Sequence, residues 1–326
     1  MSTMAVTRLV HAPLFDGFAD VELAELAALT TPWTAAAGEI LFRQGDLGDR
    51  LFVLGSGRLE VTARLSNGSQ RSIGSIAPGE IVGELCLLGG GRRTATVQAC
   101  ADSTGVALAR ETFELLRLQL RPVARTIVRR IGEVALRRLL TRYIAIAKGR
   151  GNLPLRAMPA ARTSSSFEPA ESDFSSNGVP DSYLSEILFF RRFSTAELTA
   201  FRSGLRLLRA PRGTQIDPNE ALWIVLRGAV QTSVIGSAGR QRVHLAGPGR
   251  CVGHIGVLDE SPHAPQLETV LRERAVILEI PHARAQELLE RNATAAQRFA
   301  AAFFDDVVRA LLAVEAQLVP VLWSGR

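Results

Sequence analysis

A chain of 326 residues, 47% hydrophobic and 21% charged, can bury cores in about two domains and reads as soluble and globular. Its net charge of +6 biases it toward anionic partners. No apolar run approaches the roughly 20 residues needed to span a bilayer, since Arg227 interrupts the 222–235 stretch and Arg309 and Glu315 interrupt the last predicted helix. The first residues lack the apolar core and cleavage site of a signal peptide. Cys86, Cys100 and Cys251 show no CxxC spacing, as expected of reduced thiols. The expectation is a cytoplasmic protein with no membrane partner.

Residues 1–11 read as a tail. Ala12-Pro13-Leu14-Phe15 then precedes a helix with Leu23, Leu26 and Leu29 on one face. Gly38 to Asp46 reads as strand and turn, and Leu51–Leu54 and Leu59–Thr62 as strands separated by Gly55-Ser56-Gly57, with a hairpin signal at Asn67-Gly68. Short strands with glycine turns imply a jelly-roll-like β-barrel.

The stretch from Gly79 to Val97 carries the chemistry. Ile81 and Val82 run into Gly83, then Glu84, then Leu85-Cys86-Leu87-Leu88, which can make one helical turn before three glycines and Arg92-Arg93. Such a turn aims backbone N–H groups and the positive end of its dipole at one point, which suits a phosphate. Arg93 returns nine residues after Glu84 with a planar fork matched to two phosphate oxygens. An ionised Glu84 only accepts hydrogen bonds and beside a phosphate needs a donor such as a ribose hydroxyl. Cys86, beside the turn and Arg93, is either a thiol of lowered pKa or a small residue filling an alanine-sized place.

Through Gly83, Glu84, Leu85, Leu87, Leu88, Arg93, Ala95 and Thr96 the chain resembles the phosphate-binding cassette of cyclic nucleotide-binding domains. The resemblance implies that Glu84 binds the ribose 2′-hydroxyl, that Arg93 binds the cyclic phosphate, and that backbone N–H groups around Leu85 and Cys86 complete a site bounded by Val82, Gly83, Thr94 and Ala95. The departures are Cys86 where alanine is usual, Arg92 where proline is usual, and Thr94 where alanine is common. The ligand expected is cAMP in preference to cGMP. Thr94 bears on that choice, because in eukaryotic members a threonine there bonds the guanine amino group.

Val106–Ala109 closes the barrel, and Glu111 to Lys148 reads as helix interrupted by Pro122. In the resembled family the second of these helices caps the purine; Leu136, Leu139, Leu140 and Tyr143 are its candidate purine-facing residues, plain packing being the alternative. The same helix carries Arg121, Arg125, Arg129, Arg130, Arg137, Arg138 and Arg142, with Ile127, Ile131, Val134 and Ile144 as its apolar face. Residues 149–182 are rich in serine, glycine and proline and read as a flexible linker.

Beyond it the chain repeats itself: Gly57-Arg58-Leu59-Glu60-Val61 corresponds to Gly228-Ala229-Val230-Gln231-Thr232, and Ala77–Glu84 to Gly247–His254. His254 then stands at the ribose Glu position and His263 at the phosphate Arg position, near Asp259 and Glu260. An imidazole, mostly neutral at pH 7, offers no bidentate fork, so this copy is expected to have lost nucleotide binding. Cys251, His254, Asp259 and His263 are too irregularly spaced to be read as a metal site, and no metal is expected. Phe299, Phe303, Val307 and Leu311 lie at helical spacing and either cover the second barrel or, with Leu318–Trp323, form a docking surface.

The fold expected is therefore α+β: two jelly-roll-like barrels with flanking helices, at 12–148 and 183–326, joined by the 149–182 linker. The function expected is a non-enzymatic cyclic nucleotide sensor that signals to an unidentified protein partner, with a homodimer open. Two alternatives stand beside it. One is a nucleic-acid-binding regulator using the arginine helix, and the other a ligand-free scaffold.

Overall fold

The computed structural model describes residues 12–64, 69–149, 168–169, 181–202, 205–237, 239–257 and 265–318. They divide into two compact units, Met1–Ala135 with Glu315–Arg326, and Leu136–Val314. No helix among the described residues is long and apolar enough to cross a membrane.

In the first unit a short 3-10 turn (Pro13–Phe15) precedes α1 (Asp20–Leu29), which buries Leu23 and Leu26 and leaves Leu29 half-buried. The strands are β1 (Thr30–Ala35), β2 (Ile40–Phe42), β3 (Arg50–Ser56), β4 (Leu59–Arg64), β5 (Gln70–Ile76), β6 (Ile81–Val82), β7 (Thr96–Ala99) and β8 (Ser103–Ala109). They form two four-stranded antiparallel sheets, ordered β1-β8-β3-β6 and β2-β7-β4-β5. Leu51, Phe52, Val53 and Leu54 of β3 are all buried, as an unbroken apolar run is when both faces of its strand are covered. Leu54, Leu59, Val97 and Ala99 fill the space between the sheets, flanked by Trp33, Phe42 and Val82. Strand β5 hydrogen-bonds only to β4 and is exposed along nearly its whole length. Helices α2 (Arg110–Leu118) and α3 (Pro122–Ala147) follow, separated at Pro122 as its missing N–H requires. The boundary between the two units falls inside α3.

After β9 (Glu168–Pro169), the second unit has α4 (Asp181–Glu186), α5 (Thr195–Arg202), β10 (Arg206–Ala210), β11 (Gln215–Ile216), β12 (Ala221–Arg227), β13 (Val230–Gly236), β14 (Gly239–Ala246), β15 (Cys251–Val252), β16 (Leu267–Leu271), β17 (Ala275–Pro281), α6 (His282–Glu290) and α7 (Thr294–Leu318). Its sheets run β9-β10-β17-β12-β15 and β11-β16-β13-β14, the order of the first unit with β9 added at one edge. The register shifts recur too, at Leu54/Ser56 and Val225/Arg227, and again at Val61/Thr62 and Thr232/Ser233. The repeat read from glycine-flanked segments is thus a repeat of the entire barrel.

Phe299, Phe303, Val307 and Leu311 of α7 are fully buried, and the Phe299 ring stacks on Phe201 at 5.7 Å and on Phe303 at 6.0 Å. Their burial fits the reading in which these four residues cover the second barrel. Burying each ring contributes roughly 1.5–3 kcal/mol. Residues 319–323 of the expected docking end, the Asn67-Gly68 hairpin turn and all but Gly149, Glu168, Pro169, Asp181 and Ser182 of the expected linker lie outside the described residues.

Two expectations for α3 need correction. Val134, assigned to the apolar face, is 41% exposed, because the buried stripe runs through Ile127, Ile131, Ala135, Leu139 and Tyr143. Leu139 and Tyr143, offered as purine-facing residues of the first barrel, belong to the second unit. There they line a small cavity with Thr232, His244 and His254.

Candidate functional site

The cassette of the first unit begins where β6 ends. Gly83 takes φ +81°, a left-handed conformation that turns the chain out of the strand, and a Cβ at this position would meet the Arg93 guanidinium. Glu84–Leu87 then forms one 3-10 turn with Leu85, Cys86 and Leu87 buried and Glu84 half-buried at its start. Gly89 and Gly90 continue the loop at φ +68° and +63°, and the Arg110 guanidinium lies against Gly90. Nothing in the sequence periodicity had singled out Arg110, which opens α2.

Arg93 is only 6% exposed. Its Nη2 donates to the Arg50 carbonyl at 2.7 Å and lies 3.4 Å from the Asp49 carboxylate, Nη1 donates to the Gly83 carbonyl at 3.2 Å, and the guanidinium stacks over the Phe42 ring at 4.0 Å. A planar cation is thus fixed against the glycine that opens the cassette turn, which a flexible ammonium would not achieve. Burial alone would raise the Asp49 carboxyl, but its hydrogen bond and ion pair with Arg50 and the Arg93 charge hold it below the usual range. Ala95 is buried, and Val82 and Thr94 are half-buried. Val82 ends β6, Gly83–Cys86 make the turn, and Arg93, Thr94 and Ala95 lie in the loop that leads into β7, Arg93 reaching back to the Gly83 carbonyl. Arg92, the departure beside Arg93, points elsewhere and donates to the Gly45 carbonyl at 2.7 Å.

Cys86 is 5% exposed and packed against Gly48, and burial pushes its thiol up to about 11. Of its two readings, the small space-filling residue is the one the structure supports. At pH 8 the thiolate is then a fraction of order one in a thousand. Iodoacetamide at pH 8 should label exposed Cys100 and leave Cys86 of the native protein unmodified; equal rates at the two would contradict this environment.

The second unit puts other chemistry at the corresponding turn. Gly253 repeats the left-handed geometry at φ +91°, and Ile255–Val257 forms the 3-10 turn. His254, at the glutamate position, is 5% exposed and its Nε2 lies 2.8 Å from Asp306 Oδ2. The same oxygen accepts from the Cys251 backbone N–H at 2.9 Å, while Asp306 Oδ1 accepts from Arg250 Nε. Burial would raise the Asp306 carboxyl, but His254, Arg250 and His244 together hold it well below the usual carboxylate range. Asp306 was not singled out from the sequence, although an Asp pair inside Phe303-Phe304-Asp305-Asp306-Val307-Val308 is a legible oddity in an apolar helix. Asp259, Glu260 and His263 lie outside the described residues.

Strand β14 buries Gln241, Val243, His244 and Ala246, whereas its counterpart β5 is exposed. His244, at 5% exposure, has no hydrogen-bond partner on either ring nitrogen among the described residues, and burial lowers its pKa to about 4, so the ring is neutral at pH 7.

Arg121, expected on the helix but standing just before α3, pairs with Glu25 at 2.8 Å; on α3 itself Arg129 pairs with Glu133 at 2.8 Å, and Arg130 donates to the Leu14 carbonyl at 2.7 Å.

The family model described as the cyclic nucleotide-binding domain matches this chain twice, at residues 32–119 and 214–292. The chain is 34% identical over 113 residues to the cyclic AMP receptor protein of Thermus thermophilus, covering 35% of this chain and 52% of that protein. It is 33% identical over 103 residues to an uncharacterized ABC transporter ATP-binding protein of Mycobacterium tuberculosis, covering 31% of each. The chain thus spans about half the length of the first curated relative and under a third of the second. Among solved structures, it is similar to the regulatory domain of Toxoplasma gondii PKA crystallised with cAMP, at 18% identity and a TM-score of 0.34, covering 89% of this chain and 92% of that one. It is also similar to the N-terminal domain of a Streptomyces coelicolor transcriptional regulator, at 35% identity and a TM-score of 0.35, covering 37% of this chain and 86% of that one.

Proposed function

The chain belongs to the cyclic nucleotide-binding domain family, matched over both of its barrels, and from that premise we propose that its first unit is a sensor for a cyclic nucleotide, cAMP in preference to cGMP. The observation that carries this reading is the placement of Arg93. It is a buried guanidinium held against Gly83 at the mouth of a turn whose first residue is Glu84. Arg93 supplies the cyclic phosphate with a preorganised cation, the backbone N–H groups around Leu85 and Cys86 add donors, and Glu84 accepts from the ribose 2′-hydroxyl. Val82, Thr94 and Ala95 bound the site. Thr94 bears on base choice through its hydroxyl.

The second barrel does not bind a cyclic nucleotide on this reading. His254 already faces Asp306 where a ribose acceptor would be needed, and Leu139 and Tyr143 stand over the corresponding interior. Calorimetric titration of the full-length chain with cAMP and with cGMP should give about one site per chain and tighter binding of cAMP. No heat with either ligand would leave the ligand-free scaffold as the reading. A count near two would show that the second cassette binds by other groups. A preference for cGMP that vanishes in Thr94→Ala would reverse the base assignment.

The signal leaves the first unit through α3, which begins in the unit that holds the cassette and ends in the other. A ligand drives such a change only as far as it prefers one state of the helix. Amide hydrogen exchange should then show protection along 83–96 and 122–147 on adding cAMP. Protection restricted to 83–96 would make the chain a ligand carrier without a switch. The partner that reads the helix is a protein on this proposal, since Arg121, Arg129 and Arg130 are engaged within the fold.

A further inference from the structure

We propose that the second unit holds a divalent transition-metal ion of the zinc class, bound by Cys251 Sγ, His254, Asp306 and His244. The sequence spacing gives no such site, because its carboxylate arrives from α7, 52 residues after His254. In the fold Cys251, His254 and Asp306 are all buried, and one ligand atom from each lies within 4.8 Å of the other two. Tetrahedral zinc spaces its donors by roughly 3.5 Å, so modest side-chain rotations close the set on an ion.

The fourth ligand, His244, lies outside that 4.8 Å group and rests on a separate observation. His244 is 5% exposed, its ring centroid is 6.2 Å from that of His254, and neither of its nitrogens has a partner among the described residues. A buried imidazole without hydrogen bonds is a cost the fold sustains for nothing unless something else occupies its lone pair. A small cavity lined by Leu139, Tyr143, Thr232, His244, His254 and Ile255 lies against both histidines and leaves His244 room to turn.

Asp306 is arranged as a ligand as well. Oδ1 is taken by Arg250, the outer partner that orients a metal-bound carboxylate, while Oδ2 faces His254 and accepts from the Cys251 backbone N–H. On binding, the Cys251 thiol proton leaves to solvent and His254 coordinates as a neutral tautomer. One thiolate and one carboxylate then offset the charge of the ion. A soft and borderline donor set of one sulfur, two imidazoles and one oxygen favours zinc or cobalt over magnesium or calcium.

The test uses the full-length chain carrying Cys86→Ala and Cys100→Ala, in which Cys251 is the only thiol, stripped with chelator and reloaded with zinc chloride alone. Mass-spectrometric metal analysis after desalting should find about one zinc per chain, and zinc should raise the thermal midpoint relative to the stripped protein. Cobalt loading should give a thiolate-to-cobalt charge-transfer band. His244→Gln should weaken zinc retention by at least about tenfold. Cys251→Ser should abolish the band. Zinc on fewer than about one chain in ten, or a cobalt complex without the thiolate band, would overturn the proposal even if Cys251→Ser does not fold.

Discussion

Arg93→Ala should weaken cAMP binding by about 2–4 kcal/mol, a loss of roughly 30-fold to 1000-fold, because it deletes a charge-assisted pair to a phosphate taken out of water. The magnitude follows from how little the side chain has to do on binding. Its guanidinium is fixed by the Gly83 and Arg50 carbonyls and by Phe42, so the entropy of ordering a long cation has already been spent in folding. Arg93→Lys should recover only part of the loss, since an ammonium has neither the fork nor the flat face for Phe42. Glu84→Ala should cost less, as it removes a hydrogen-bond acceptor and not the phosphate cation. Titration calorimetry on each variant decides the matter, with a thermal melt to establish that the barrel is intact. A folded Arg93→Ala protein binding cAMP within about threefold of wild type would remove the phosphate role.

The second large effect is expected at Asp306. Asp306→Ala should destabilise the second unit by about 3–5 kcal/mol, because it leaves the buried Cys251 N–H and His254 without their acceptor and the half-buried Arg250 without its counter-charge at the same time. Asp306→Asn keeps the shape and loses the charge, so it should fall between wild type and alanine. Urea unfolding followed by Trp223 fluorescence in a Trp33→Phe, Trp323→Phe background, a probe confined to the second unit, measures both. A shift below about 1 kcal/mol for alanine would show that the network is not important to stability.

The sign of the pH effect is set by the direction of the Asp306 shift. Its folded-state pKa lies below its unfolded one, so the unfolded chain takes up the proton first as pH falls. The contribution is therefore complete above about pH 4 and is lost progressively below it.

The cassette was legible because its parts are local: Gly83, Glu84 and Arg93 sit within eleven residues, and the glycine, the acid and the guanidinium each have one conformational or electrostatic use there. The partners of Arg93 were not, since Asp49 and Arg50 reach it from 44 and 43 residues away. Periodicity predicted α3 as a helix with a wet arginine side, yet a period says only which face is buried and not against what. Hence Leu139 and Tyr143 were placed at the wrong barrel. At the second cassette the sequence shows only the exchange of a glutamate for His254. Its partner Asp306 comes from far along the chain, and no local pattern pairs the two.

α3 changes allegiance at Ala135, so the boundary between the two compact units and the serine-rich stretch are not the same place in the chain. A fragment cut at the serine-rich stretch, which the repeat would recommend, begins after Leu139 and Tyr143 and so lacks part of its own wall. Gln241 and His244 on β14 would then face water where their counterparts on β5 already do. Substitutions at Leu139 and Tyr143 would accordingly report on the behaviour of the second barrel, although both stand before the serine-rich stretch.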